Sequence, residues 1–166
     1  MKPALLVIDM QKAFYDEPLV KTSMDSASEY INIVLARFRE KAIPIYWVHH
    51  TDEEEGPLPG QEGFEFIDKL DKREDETKIT KKYGNSFNKT SLYDELKKQA
   101  IDTVFVTGFC AEYCVLSTYR GARDLDLTPI LIRDCLASDN SKHIRFVEEI
   151  SEIISIAALE KLIENY

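Results

Sequence analysis

At 166 residues the chain has the length of one domain, 1–166, and enough surface to bury a core without a disulfide or metal staple. Hydrophobic residues at 44% and charged residues at 31% exclude a disordered or collagen-like chain. Lys and Arg number 21 against 30 Asp and Glu, a net charge of −9, and that field argues against nucleic-acid and membrane partners.

The first apolar run, Ala4 to Ile8, stops at Asp9. It reads as a strand and is too short for a secretory leader or a membrane span. Ser26-x-x-Glu29 has the pattern of a capping box, and Tyr30, Ile31, Val34, Leu35 and Phe38 follow at helical spacing. Ile43 to Val48 is a second strand. Glu53-Glu54-Glu55 and the mixed run Asp68 to Glu76 read as solvated surface, and Gly56 to Gly60 as a loop. A weaker strand is expected at Thr77 to Thr80, then a helix from Ser91 to Ala100 carrying Leu92 and Leu96 on one stripe. Thr103 to Thr107 is a strand, and Cys114 to Leu125 a helix with Val115, Thr118, Tyr119, Ala122 and Leu125 on one side. Thr128 to Ile132, Lys142 to Ile150, Glu152 to Ile156 and Ala157 to Ile163 read as strand, helix, strand and helix. Runs apolar on both faces alternating with helices predict a three-layer α/β fold around a mostly parallel sheet.

In such sheets ligands bind beyond the carboxyl ends of the strands. Asp9 ends the first strand; His49, His50 and Asp52 follow the second, Lys81 and Lys82 the third, and Gly108 to Cys114 the fourth. A carboxylate, an ammonium and a thiol at those ends can together make an activated nucleophile. Each also has an ordinary reading: Asp9 as a turn cap, Lys81 as a solvated lysine, Cys114 as a small core residue. The start of an apolar helical stripe at Val115 places Cys114 at a helix N-terminus, where the dipole favours thiolate. Three cysteines without framework spacing (Cys110, Cys114, Cys135) fit reduced thiols in the cytoplasm. His143 is the only histidine besides His49 and His50, so no zinc site is expected. There is no dinucleotide, P-loop or serine-hydrolase turn, and Cys110-x-x-x-Cys114 is one residue too long for a thioredoxin-like pair.

Four segments resemble the isochorismatase-like cysteine hydrolases, the superfamily that includes nicotinamidases and N-carbamoyl amidohydrolases. They are Leu6-Val7-Ile8-Asp9-Met10-Gln11-Lys12-Ala13-Phe14; Lys81-x-x-x-Asn85-Ser86-Phe87-x-x-Thr90-x-Leu92; Val106 to Val115; and Asp134-Cys135-Leu136-Ala137-Ser138. The resemblance spans nearly the whole chain in the family's order. It implies a Rossmann-like fold with a six-stranded parallel sheet flanked by helices and a catalytic triad of Asp9, Lys81 and Cys114. Lys81 is preferred to Lys82 because it stands six residues before Phe87. It further implies a cis peptide between Phe109 and Cys110, an oxyanion hole from the backbone N–H groups of Cys110 and Cys114, and Phe14 in the substrate pocket. The activity implied is hydrolysis of a C–N bond in a small amide or carbamoyl compound through a thioester, without cofactor, in a homo-oligomer. One feature departs from the nicotinamidases: Asp52 is followed by Glu53 and Glu54 rather than by an Asp-x-His metal pair. The alternatives are a vinyl-ether hydrolase, a non-catalytic binding member of the fold, and a flavodoxin-like binder. Loops such as Thr51 to Phe66 are expected to shape the pocket.

Overall fold

The computed structural model describes residues 1–54, 56–164 and 166, so Glu55 of the acidic run lies outside the described residues. In chain order the elements are β1 (Pro3–Ile8), α1 (Pro18–Glu40), β2 (Ile45–His50), β3 (Thr77–Lys81), α2 (Leu92–Lys98), β4 (Thr103–Gly108), α3 (Leu116–Asp124), β5 (Thr128–Leu136), α4 (Ser141–Glu149), β6 (Ile153–Ile154) and α5 (Ile156–Ile163). The strands form one all-parallel sheet in the order β3-β2-β1-β4-β5-β6. Chain order therefore runs outward in both directions from β1 and β4, and the crevice between their carboxyl ends is the place where such sheets bind ligands.

Two apolar layers hold the helices on. Leu5 and Val7 of β1 face one side with Trp47, Phe105 and Ile132, covered by Ile31, Val34, Leu35 and Phe38 of α1 and by Leu159 and Ile163 of α5. Ala4, Leu6 and Ile8 face the other side with Val104 and Val106, under Leu92 and Leu96 of α2, Tyr119 and Ala122 of α3, and Val147 of α4. Side chains alternate across a strand, so a continuous apolar run serves both layers at once.

Three expectations are corrected. The first helix starts at Pro18, and Ser26 is an exposed residue inside it. Its cap is Glu17, whose carboxylate accepts from the Val20 N–H at 2.8 Å, with Pro18 at the first helical position. β5 runs on to Leu136, so Cys135 is a buried strand residue and does not follow the strand. Glu76, expected as solvated surface, is instead a hub: its side chain is 11% exposed and accepts from Arg39 Nε at 2.7 Å, Trp47 Nε1 at 2.7 Å and the Arg73 N–H at 3.1 Å. That carboxylate ties α1 and β2 to the segment leading into β3.

The centre of the sheet leaves no space at Gly108. A Cβ there would stand 2.1 Å from the Ile8 carbonyl oxygen, and its φ of +117° is one that side chains rarely adopt. Gly108→Ala is expected to cost about 3 kcal/mol or more, read from urea unfolding; a loss below about 1 kcal/mol would show that β1 and β4 can part without penalty.

Candidate active site

Asp9 is the first residue beyond β1, and its backbone turns sharply there at φ +50°, a region that Asp tolerates better than most residues. Lys81 is the last residue of β3, two strands away, and its ammonium reaches Asp9 Oδ2 at 2.6 Å. Cys114 lies in a π-helical turn, Ala111–Val115, that leads from β4 into α3. Its Sγ is 3.3 Å from the same ammonium, and His50 Nδ1 is 3.5 Å away on a third side. An ammonium has three N–H groups and no acceptor, so all three donors of Lys81 have a partner. His50 Nδ1 must then be the acceptor, which leaves the ring proton on Nε2. The Phe109–Cys110 peptide is cis.

The quoted motif residues outside the triad hold it in place. Gln11 clamps the end of β2: its Oε1 accepts from the His50 N–H at 2.7 Å, and its Nε2 donates to the carbonyls of His50 at 3.0 Å and Phe64 at 2.9 Å. The segment after Lys81 is fastened to α3, where Thr118 Oγ1 accepts from the Ser86 N–H at 3.0 Å and meets the Ser86 hydroxyl at 2.8 Å. Lys81 and Cys114 are thus fixed through one packed unit.

Charge at the thiol differs from expectation. Burial first, then the Asp9 carboxylate, push the Cys114 thiol up to about 12, and the Lys81 cation fails to offset them. Placement near a helix start does not yield a resting thiolate. Asp9 is raised as well, because burial outweighs the pull of Lys81, which makes it a stronger base than a surface aspartate. Its Oδ1 has no hydrogen-bond partner of good geometry. Burial and then the Lys81 charge hold His50 below its usual range, so the ring is neutral near pH 7. His49 points to the opposite face of β2, stacked on Phe64 at 4.7 Å between ring centres and lowered to about 4 by burial. The adjacent histidines therefore cannot share a metal.

A second network braces the nucleophile turn. Glu112 accepts from the Cys110 thiol at 2.9 Å, the Ser138 hydroxyl at 3.1 Å and His143 Nδ1. Burial pushes the Glu112 carboxyl up, but these hydrogen bonds, Cys110 foremost, hold it below its ordinary value. Glu112, Asp139 and His143 bring three ligand atoms within 4.8 Å of one another, the group among the described residues able to hold a metal ion.

The thiol opens on a hollow of about 290 Å³ walled by Phe14, Val20, Phe109 and Tyr113, with Asp9, His50, Cys110, Cys114 and Asp139 also facing it. Phe14 packs against Phe109 with ring centres 5.5 Å apart and planes tilted by 32°. Among the described residues, none from Thr51 to Phe66 lines this hollow, contrary to expectation. Glu62 and Gly63 line a separate one of about 500 Å³ that contains no member of the triad.

Residues 3–155 match the isochorismatase domain. This chain belongs to the isochorismatase family. Within it, the Bacillus subtilis protein YrdC is 34% identical over 139 residues, covering 82% of this chain and 74% of its own. An isochorismatase-like hydrolase from Alkaliphilus metalliredigens superposes with a TM-score of 0.91 at 25% identity, over 99% of this chain and 92% of its own. The N-carbamoylsarcosine amidase of Thermoplasma acidophilum shares the fold, with a TM-score of 0.81 at 24% identity over 93% of this chain and 95% of its own.

In this family member the buried thiols carry a consequence for alkaline stability. Burial raises Cys110 and Cys114 from an ordinary 9.0 to about 12, and raises Cys135 further. The folded state therefore holds protons that the unfolded chain releases, and stability is lost as pH rises from about 9 toward 12. Urea midpoints at pH 8 and about pH 10.5 should show a clear fall; an unchanged midpoint would contradict the assigned burial of the thiols.

Proposed function

We propose that the protein is a cysteine hydrolase that cleaves a C–N bond of a small amide or carbamoyl compound through a thioester. The observation that carries this reading is one buried ammonium, Lys81, touching both Asp9 and the Cys114 sulfur at the floor of an apolar hollow. Such a hollow suits a small substrate. The thiol is neutral at rest, so Asp9 takes its proton as the sulfur attacks the carbonyl carbon, and Lys81 stabilises the charge that develops on sulfur. Backbone N–H groups of Cys110 and Cys114 are the proposed donors to the oxyanion. Collapse of the tetrahedral adduct breaks the C–N bond, and the leaving ammonia or amine takes the proton from Asp9. Asp9 then deprotonates a water that attacks the thioester, releases the acid and returns the proton to sulfur.

Acid quench during turnover of a small amide, followed by peptide mapping, should show the acyl mass on the Cys114 peptide, with ammonia released at the same rate. Consumption of isochorismate with no acyl adduct from any amide would replace this reading with vinyl-ether hydrolysis.

A further inference from the structure

The charges that face the hollow narrow the substrate class, an inference that rests on the amidase reading above. Its wall is mostly aromatic and aliphatic, and among the described residues that line it there is no lysine or arginine. Asp9 also faces the hollow, but its charge is met by Lys81 at 2.6 Å, and the pair is sealed from solvent, with side chains 2% and 0% exposed. His50 is neutral near pH 7. That leaves Asp139, an exposed residue at the rim. Its Oδ1 lies 3.3 Å from the Ser138 hydroxyl oxygen, whose one proton has the nearer Glu112 carboxylate as its acceptor, and no described Lys or Arg forms an ion pair with it. Its titratable neighbours are the Glu112 carboxylate and the His143 ring, already hydrogen-bonded to each other.

A substrate carboxylate in this hollow would meet Asp139 with no cation to offset it, while an ammonium would find a partner. Discrimination by an unfavourable charge is as effective as discrimination by a favourable one. We propose that Asp139 is the specificity-determining residue of the pocket and that the substrate is a small amide carrying a protonated amine.

Three amides of matched length test this: butyramide (neutral), 3-aminopropanamide (cationic) and succinamate (anionic), assayed for ammonia release with EDTA present throughout. In the unaltered protein kcat/KM should rank cation over neutral over anion, by about fivefold per unit of charge for groups about 4 Å apart in a water-like medium. Asp139→Asn should flatten the ranking and Asp139→Lys should invert it. A second measurement needs no turnover. Modification of Cys114 by 2-aminoethyl methanethiosulfonate and by its 2-sulfonatoethyl counterpart, each scaled to its rate with glutathione and read at the Cys114 peptide, reports the charge of the pocket directly. The preference for the cationic reagent should fall about fivefold or more in Asp139→Asn. If no amide is hydrolysed while this ratio still responds to Asp139, the amidase reading fails and the charge selection stands. If amides are hydrolysed but succinamate is the best of them, or neither ratio responds to Asp139, the proposal is overturned and the amidase reading survives.

Discussion

Asp9→Asn is expected to lower amide turnover by a factor of about 10²–10⁴, the usual range for a lost general base, while making Cys114 easier to alkylate at neutral pH. The two effects move in opposite directions because Asp9 has two influences on the sulfur. As a base it would accept the thiol proton. As a charge it is, after burial, the largest influence holding the thiol up at about 12. An amide of the same shape removes both, and leaves the Lys81 ammonium 3.3 Å from sulfur with no carboxylate to neutralise it. Each unit by which the thiol pKa falls should speed iodoacetamide labelling near pH 7 by up to about tenfold, since the thiolate is the reactive form. The unaltered protein should label more slowly than free cysteine. Slower labelling in Asp9→Asn than in the parent, or turnover retained, would remove Asp9 from the mechanism.

Lys81→Met should cost about 3–5 kcal/mol of stability, because it strands a carboxylate in the interior. Side chains of the pair are 0% and 2% exposed, so water cannot take the place of the ammonium. The loss has a pH signature. Burial already raises Asp9, and without Lys81 nothing of comparable size opposes it. A folded-state pKa above the unfolded value contributes stability below the unfolded value, and that contribution is lost as pH rises through the folded one. The gap between Lys81→Met and the parent should therefore narrow from pH 7 to about pH 5. Adding Asp9→Asn to Lys81→Met should recover part of the loss, since the stranded charge is gone. Urea unfolding of the four proteins tests the whole cycle, and a loss below about 1 kcal/mol for Lys81→Met would mean that the pair is not sealed from water.

Much of this was legible in the residues. Ala4 to Ile8 and Thr103 to Thr107 could only be central strands, because each is apolar at consecutive positions and so needs cover on both faces. Once the strands are placed, topology brings Asp9, Lys81 and Cys114 to one end of the sheet. What escaped depends on depth or on long-range contact. Ser26-x-x-Glu29 has the local pattern of a cap, and nothing within it reveals that the helix is already two turns old, started by Pro18 and capped by Glu17. The direction in which Cys114 titrates is set by how far burial and Asp9 outweigh Lys81, a balance of distances that spacing does not encode. Glu112 meets Ser138 and His143 from 26 and 31 residues away, and Glu76 meets Arg39 from 37. Glu76 looked like solvated charge because its partner lay in another element, and Glu112 drew no separate reading for the same reason. The one sequence signal for the clamp at β2 was Gln11 itself, quoted in a motif whose physical purpose only the fold supplies.

The two outer strands of the sheet bear on how copies of this chain can meet. At one side stands β6, two residues long. At the other stands β3, where Thr77, Lys78 and Thr80 are exposed and Lys82 follows immediately. A short strand offers too few free N–H and C=O groups to template another, and lysines along an edge repel an incoming copy and keep their hydration. Both margins are thus closed to sheet extension, so fibril growth by strand addition has no starting point in the native protein. Any contact between copies would fall instead to side chains on the helical layers, where Phe146 and Ile150 of the α4 region and Leu162 of α5 lie exposed. Cross-linking of any self-associated form should therefore join helix to helix and never β3 to β3.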